Sequence, residues 1–273
     1  MKNLEIYCTT IKYYKVLDYL PNFIKPLGLG PEIYPSHWLD EKKGINITSL
    51  NRFYAEFTGF FWILKNRIKF MKKTDLIGNC HNRVLWLNDL YSNKQKLSPF
   101  SLYSKLLKKN NPIIYNNDVI QLQPITFYNT KKTLFEDFRI CHDPKALDEC
   151  LNFLPNDIKL GFIKHLNGFE IFHCNMFITN VKFFEEFCNA IFPWLEKCME
   201  YCNQKKICFG YQSRIPAFLA ERFTSYWFST FKKRALLSYA RLGEIHLSNK
   251  INKFVNTIKI PFTFAQYPTI HRY

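Results

Sequence analysis

The chain has 273 residues, of which 47% are hydrophobic and 18% are aromatic, and its formal net charge at pH 7 is +16. This composition predicts a large packed core, and no apolar run approaches the ~20 residues that cross a membrane. The excess of positive charge predicts an anionic partner, which is a nucleic acid, a membrane surface or a phosphorylated substrate.

Apolar segments with strand and helix character alternate along the chain. Strands are predicted at 4–10, 74–80, 117–123 and 171–179. Helices are predicted at 51–66, 181–203 and 216–231, with shorter helical pieces at 147–166. This alternation predicts an α/β, Rossmann-like fold with a mostly parallel sheet and added helices. Ligands of such sheets bind at the carboxyl ends of strands, so we expect the site in the loops after Thr10, Cys80 and Thr179.

The nine cysteines are odd in number and scattered, which favours free thiols in a reducing compartment. Cys198, Cys202 and Cys208 form a cluster without the paired C-x-x-C spacing of a zinc site. The N-terminal segment lacks the pattern of a signal peptide. We therefore predict a cytoplasmic protein without a metal site.

The end of the chain is strongly basic. Residues 231–273 contain eight Lys or Arg against the single acid Glu244. We predict a domain over 1–230 and a basic extension over 231–273. Such an extension can contact anionic lipid at the inner face of a cell membrane, or it can be a solvated tail; the composition leaves both open.

The segment 40–66 contains polar side chains where a plain core helix would not have them. Glu56 and Thr58 lie within an apolar run that includes Phe57 and Phe60. A buried carboxylate is costly unless it is paired, protonated or directed into a cleft. Glu56 therefore needs either a structural partner or a ligand, and the residues alone leave both open.

Three further groups of polar residues lie at the end of a predicted strand, near the start of another, or near the start of a late helix. They are His81 with Arg83, His173 with Asn175, and Arg214 with Glu221 and Arg222. Arginine binds phosphate in a bidentate manner that lysine does not match. A glutamate one helical step from an arginine is either a general base or an ion-pair partner.

These motifs together resemble a family of bacterial capsular and exopolysaccharide biosynthesis proteins that is grouped with GT-A-type glycosyltransferases and has long been called a domain of unknown function. The first matching block contains Asp40, Gly44, Asn46, Ile47, Thr48, Asn51, Tyr54, Glu56, Thr58, Phe61, Trp62, Lys65 and Asn66. The later blocks contain Gly78, His81, Arg83, His173, Asn175, Met176, Phe177, Ile178, Arg214, Phe218, Leu219, Glu221, Arg222 and Trp227.

The resemblance implies a GT-A-like enzyme that transfers a sugar, such as galactose in pyranose or furanose form, from a UDP-sugar to a lipid-linked or growing surface polysaccharide. For an inverting transfer it implies Glu221 as the general base, with Glu56 as the second candidate; for a retaining transfer Glu221 is instead a substrate ligand. The implied donor-binding residues are Thr9, Thr10, Lys12, Gly28, Gly30, His81 and Arg83. The implied substrate-binding residues are Asp40, Asn46, Asn51, Lys65, His173, Asn175, Arg214 and Arg222.

Two blocks depart from the family pattern. The family's His-Tyr-Arg-Arg is His81-Asn82-Arg83-Val84 here, and its Thr-His-Lys is Thr10-Ile11-Lys12. The chain also lacks the Asp-x-Asp motif that holds a divalent metal in most GT-A enzymes. We therefore expect cations such as His81 and Arg83 to neutralise the diphosphate, while participation of Mn²⁺ or Mg²⁺ stays open.

Two other functions stay open: a catalytically degenerate binder of sugar or nucleotide, and, less favoured, a basic nucleic-acid-binding protein.

Overall fold

A computed structural model describes residues 2–88, 105–127, 131–172 and 174–241, and all structural statements below concern these residues. The strands of the main sheet are β1 (Leu4–Thr10), β2 (Ile24–Gly28), β3 (Leu39–Asp40), β4 (Leu76–His81), β5 (Val84–Trp86), β6 (Val119–Leu122), β9 (Phe177–Asn180), β10 (Arg234–Leu237) and β11 (Tyr239–Arg241). A separate small sheet pairs β7 (Ile125–Thr126) with β8 (Glu170–Ile171).

The helices pack mainly around the main sheet. They are α1 (Asn51–Tyr54), α2 (Phe57–Asn66), α3 (Pro112–Asn116), α4 (Leu134–Cys141), α5 (Pro144–Leu151), α6 (Asn156–Leu166), α7 (Val181–Gln204) and α8 (Ile215–Ser229). Short 3₁₀ helices lie at Lys15–Tyr19, Thr48–Leu50, Ile68–Phe70 and Gly210–Arg214. Among the described residues, no helix is both long and apolar enough to cross a membrane.

The main sheet is mixed but mostly parallel, as predicted. Its order is β10-β6-β9-β4-β1-β2-β3, and β5 and β11 extend it from β4. The central strand β1 is parallel to β2 and β4, and β6 is parallel to β10. Strand β9 is antiparallel to both β4 and β6. The described chain therefore has a mixed α/β architecture with a central, mostly parallel sheet.

The reversed direction of β9 corrects one expectation about the site. Thr179 pairs with Ile77 near the start of β4, so the loop after Thr179 lies at the edge opposite to the carboxyl ends of the parallel strands. The beginning of β9, next to Asn175, lies instead near the carboxyl end of β4. Strand–helix alternation alone does not reveal this reversal, because it does not specify the direction of each strand.

An aromatic core fixes the helices on one face of the sheet. Phe60 of α2 meets Phe177 of β9 with ring centroids 5.5 Å apart and Phe184 of α7 at 6.2 Å, both edge to face. Phe228 of α8 lies 4.3 Å from Phe177. Such pairs add about 0.5–1.5 kcal/mol beyond the burial of their area. A second core, which includes the fully buried Trp86, covers the opposite face.

Two predicted elements are wrong because the backbone turns inside them. The single helix predicted over 51–66 is two helices, α1 and α2, separated at Ala55, whose φ is +48°. The strand predicted over 171–179 is β8 and β9, which belong to different sheets. Between them, Cys174 and Asn175 have φ values of +64° and +50°. Left-handed backbone is uncommon for non-glycine residues and clusters at functional sites.

The predicted basic extension begins within the sheet. Strands β10 and β11 span 234–241, and they pair with β6 and β5. The described part of 231–273 therefore continues the domain rather than forming an appendage. Residues 242–273 lie outside the described residues, so the prediction of a basic extension applies to them unchanged.

Candidate active site

A cleft of about 290 Å³ opens at the carboxyl ends of β1 and β4, where the α/β fold predicts ligand binding. Several expected residues and several unexpected ones line it. The lining residues are Thr9, Thr10, Ile11, Leu29, Asn51, Arg52, Ala55, Glu56, His81, Asn82, Arg83 and Arg214. Segments far apart in sequence thus meet in one site that combines cations, a carboxylate and neutral polar groups.

The floor of the cleft is fixed by hydrogen bonds at the end of β1. The Thr9 hydroxyl donates to the Cys80 carbonyl oxygen at 3.2 Å, which links β1 to β4. The Thr10 hydroxyl donates to the Lys12 carbonyl oxygen at 2.7 Å. The exposed Lys12 is not among the described lining residues. The Lys12 backbone therefore supports Thr10, which lines the cleft.

Gly28 and Gly30, which were expected to bind the donor, shape the loop next to the cleft. A Cβ on Gly28 would lie 2.1 Å from the ring of Tyr34, so this residue makes room for that ring. The Tyr34 hydroxyl in turn contacts the carbonyl oxygens of Thr10 and Leu29, at 3.1 and 2.7 Å. Gly30 has a φ of +72°, a conformation that glycine adopts without strain. Both glycines therefore fix the loop next to the cleft.

The break at Ala55 directs Glu56 into the cleft. The Asn51 amide donates to the Ala55 carbonyl oxygen at 3.0 Å and to the Thr58 hydroxyl at 2.9 Å. The Thr58 hydroxyl itself donates to the Ala55 carbonyl oxygen at 3.1 Å. Asn51 and Thr58 thus stabilise the left-handed residue between α1 and α2. This explains why amides and hydroxyls occur among the aromatics of this segment.

Glu56 is held by His81 at the end of β4 and by Asn175 in the turn before β9. Its Oε1 accepts a hydrogen bond from Asn175 Nδ2 at 2.5 Å and lies 3.6 Å from His81 Nε2. Its side chain is 15% exposed, so the carboxylate is only partly shielded from solvent. His81 Nε2 also hydrogen-bonds the Cys174 carbonyl oxygen. The left-handed turn at Cys174 and Asn175 therefore places partners for both Glu56 and His81.

Glu221 lies behind Glu56 and is not among the described lining residues. Its Oε1 accepts a hydrogen bond from the Cys174 backbone N–H at 2.7 Å. Burial raises the pKa of the Glu221 carboxyl, and the nearby charge of Glu56 raises it further. The structure thus brings both candidate bases together, and of the two only Glu56 is among the described residues that line the cleft.

Arginines contribute most of the positive charge at the cleft. Arg83 was expected there as a donor-binding residue, and Arg214, from the end of the 3₁₀ helix before α8, was expected to bind substrate. Arg52 was missed, because an arginine within a predicted helix is normally a solvated surface residue. The sequence feature that could have identified Arg52 is its position directly after Asn51 in the first block of the family pattern. All three side chains line the same opening.

Two other predicted substrate residues, Asp40 and Asn46, hold a neighbouring loop instead, and a third, Lys65, packs on its own helix α2. The Asp40 carboxylate accepts from the Lys42 N–H at 2.9 Å, and the Asn46 amide donates to the Gly44 carbonyl oxygen at 2.9 Å. Lys65 lies over the ring of Phe61, 5.5 Å from its centroid. None of these three is among the described lining residues.

Arg222 and His173 complete the set of predicted site residues. The Arg222 side chain is 7% exposed, and its Nη2 donates to Asp137 Oδ2 at 2.6 Å. It is not among the described residues that line the cleft. His173 lies outside the described residues, so its binding role stays a prediction.

Glu41, which follows β3, was also missed. It is fully buried, and its Oε1 accepts a hydrogen bond from the Gly30 N–H at 2.7 Å. Burial raises the pKa of the Glu41 carboxyl, and the charge of Asp40 acts in the same direction. No assignment of Glu41 follows from the sequence, because the sequence does not show that the loop folds back onto Gly30.

We expect the buried Glu41 to make the protein less stable as the pH rises. The folded state holds a proton on this carboxyl that the unfolded state releases near its ordinary pKa of about 4.3. Above that pH the unfolded state binds fewer protons, so the free energy of unfolding falls until the raised folded pKa is passed. Urea unfolding from pH 4.5 to 8 should show a smaller decline in Glu41→Gln than in the parent chain. Equal declines would contradict a protonated Glu41.

The described lining of the cleft contains one carboxylate, that of Glu56, and one imidazole, that of His81. Among the described residues, no group of three or more His, Cys, Asp or Glu side chains is placed to hold a divalent metal ion. The charge available to a bound anion in the described cleft is that of its arginines and of His81 when protonated.

Comparisons with known proteins support the fold and the family. The apo structure of WbbM, a bifunctional glycosyltransferase, superposes with a TM-score of 0.72 at 16% sequence identity. The match covers 88% of this chain and 45% of that one, so the chain spans less than half of its structural neighbour. No curated protein matches. Residues 5–233 match the family described as "Domain of unknown function (DUF4422)". Because this match covers most of the chain, the protein belongs to the DUF4422 family.

Proposed function

We propose that the protein is a glycosyltransferase that moves a sugar from a UDP-sugar to a hydroxyl group of an acceptor glycan or glycolipid. The observation that carries this proposal is the meeting of Arg52, Arg83 and Arg214 with one carboxylate, Glu56, at the carboxyl edge of the sheet. The arginine cations can bind the negatively charged diphosphate of the donor, and the Glu56 carboxylate can accept the proton of the attacking hydroxyl. The GT-A-like fold of the structural neighbour supports the same reading.

The arginines are proposed to bind the diphosphate of the donor. When the bond between the anomeric carbon and the phosphate oxygen breaks, its electron pair stays on the phosphate, and the leaving UDP gains one negative charge. Guanidinium groups form strong, charge-assisted hydrogen bonds with phosphate. They therefore stabilise the charge that develops in the transition state.

Glu56 is proposed to act as the general base in an inverting transfer. The acceptor oxygen attacks the anomeric carbon, and its proton passes to the Glu56 carboxylate. Asn175 fixes Glu56 through the 2.5 Å hydrogen bond, so it acts as a positioning residue. Glu221 lies behind this pair, where it holds the Cys174 backbone. This arrangement favours Glu56 over Glu221 for direct contact with the acceptor.

The acceptor is proposed to be a lipid-linked or growing surface polysaccharide, with galactose as the transferred sugar. This part of the proposal rests on the resemblance of the sequence blocks to capsular polysaccharide proteins. A cytoplasmic enzyme that contacts the inner face of the membrane through basic residues after 241 would reach such an acceptor. Vesicle sedimentation with and without anionic lipid tests that contact.

Thermal stabilisation by nucleotides tests the proposal directly. We expect UDP, UDP-galactose or UDP-galactofuranose to stabilise the protein, by about 2.7 kcal/mol at 100 times the dissociation constant. Arg52→Ala and Arg214→Ala should reduce the stabilisation, whereas Arg139→Ala, at an exposed arginine paired with Asp148, should not. The same titrations with and without Mn²⁺ show whether metal affects binding. Absence of stabilisation by every nucleotide would contradict the proposal.

A further inference from the structure

A group of stacked rings lies next to the cleft and is not used by the proposed mechanism. It consists of His142, Tyr211 and Phe218, and we call it the aromatic shelf. The His142 and Phe218 rings stack with centroids 4.3 Å apart and planes at 19°. The Tyr211 ring lies 5.2 Å from Phe218 and 6.2 Å from His142. Tyr211 is 49% exposed, so the shelf presents one ring to solvent.

The shelf is continuous with the cleft through Arg214. Tyr211 and Arg214 both belong to the 3₁₀ helix Gly210–Arg214, in which side chains three residues apart lie on the same side. Arg214 also lies over the ring of Phe218, 5.6 Å from its centroid, and it lines the cleft. This 3₁₀ helix packs against α1, which carries Arg52. A ligand that leaves the cleft past Arg214 therefore meets Tyr211.

Hydrogen bonds keep the shelf in place without a ligand. Gln212 Nε2 donates to the Cys141 carbonyl oxygen at 3.1 Å, which leaves Gln212 Oε1 to accept from His142 Nδ1 at 3.1 Å. Burial lowers the pKa of His142 to about 4, and the charge of Arg222 acts in the same direction. The imidazole is therefore neutral at pH 7. The Ser213 hydroxyl donates to the Gly210 carbonyl oxygen at 2.8 Å and closes the 3₁₀ turn.

We propose that the aromatic shelf binds a sugar ring of the acceptor, with one face of that ring stacked on Tyr211. This inference rests on the proposed function for the identity of the cleft. A pyranose ring has an apolar face of C–H groups and a rim of hydroxyls. A pre-positioned tyrosine provides a flat apolar surface at low entropic cost, and Arg214 beside it provides donors for the rim. The shelf thus forms an acceptor subsite outside the transfer site.

Saturation-transfer NMR tests the shelf without requiring turnover. The probes are methyl α- and β-glycopyranosides of galactose, glucose, mannose and N-acetylglucosamine, each titrated into the full chain. We expect saturation of ring C–H protons for at least one probe. The affinity should fall about tenfold or more in Tyr211→Ala and persist in Tyr211→Phe, which keeps the ring.

Phe70→Ala is the matched control. Phe70 is 74% exposed, and Lys69 lies 5.1 Å from its ring centroid, so it also pairs an exposed aromatic with a cation. It follows α2 at the end remote from Glu56, and this variant should bind the probes as the parent chain does. Circular dichroism and thermal unfolding show whether each variant is folded.

The possible results separate the shelf from the donor site. Binding of a probe that is lost only in Tyr211→Ala supports the shelf, even if UDP does not bind and the proposed transferase function fails. If UDP binds but no saturation is transferred to any glycoside probe, the shelf proposal is overturned and the proposed function is left intact. A concentration-dependent dimer that Tyr211→Ala abolishes would also overturn it, because it would assign the shelf to a second copy of the chain.

Discussion

The Glu56→Gln variant is expected to lose sugar transfer by about 10²- to 10⁴-fold in kcat, the usual contribution of a general base. Glutamine retains an oxygen that can accept the hydrogen bond from Asn175 Nδ2 but cannot take the proton of the acceptor hydroxyl. Binding of UDP and its thermal stabilisation should be unchanged, because the proposed diphosphate ligands are the arginines. The measurement is the rate of UDP release with a saccharide acceptor, together with the nucleotide titration.

Glu221→Gln is the matched comparison. Its side-chain oxygen can still accept the hydrogen bond from the Cys174 N–H, which holds the turn that supports Glu56 and His81. We expect a loss of about tenfold or less, because Glu221 does not line the cleft. A large loss in Glu221→Gln with an active Glu56→Gln would restore the base assignment that the family resemblance implies. Full activity of both variants would exclude either carboxylate as the base.

The sequence predicts the regular elements of this fold well. Strand β1 and helix α7 lie within one or two residues of their predicted ranges, because long periodic apolar patterns determine them. Pro155 separates α5 from α6, as predicted. The mostly parallel sheet and the position of the cleft at the end of β1 also follow from the alternation of strands and helices.

The chemistry of the site depends on turns that the sequence does not reveal. Ala55 and Cys174 have no general tendency towards left-handed backbone, yet both adopt it here. The apolar residues around them therefore read as one continuous helix and one continuous strand. Hydrogen bonds from Asn51 and Thr58 stabilise the conformation at Ala55, and the long-range hydrogen bond from the Cys174 N–H to Glu221 stabilises the one at Cys174. The direction of Glu56 and the role of Arg52 become visible only when the turns are known.

Arg222→Met is expected to lower the free energy of unfolding by about 3 kcal/mol and to leave the affinity for UDP unchanged. Arg222 Nη2 donates to Asp137 Oδ2 at 2.6 Å, and the side chains are only 7% and 20% exposed. Removing one partner of a buried pair leaves the other charge without compensation, which typically costs about 3–5 kcal/mol; the partial exposure of Asp137 places the estimate at the lower end. The contact with the Phe138 ring, 4.9 Å away, is also lost.

Arg139→Met provides the control, because Arg139 binds Asp148 at 2.7 Å while both side chains are nearly half exposed. An exposed pair of this kind contributes about 0–1 kcal/mol, so urea unfolding should separate the two variants clearly. The resemblance of the sequence blocks implied that Arg222 binds substrate, whereas the geometry of Arg222 assigns it to the packing of α8 against α4. Unchanged stability of Arg222→Met combined with weaker substrate binding would favour the former role. A large loss of stability with intact UDP affinity would establish that this arginine supports the site through the fold alone.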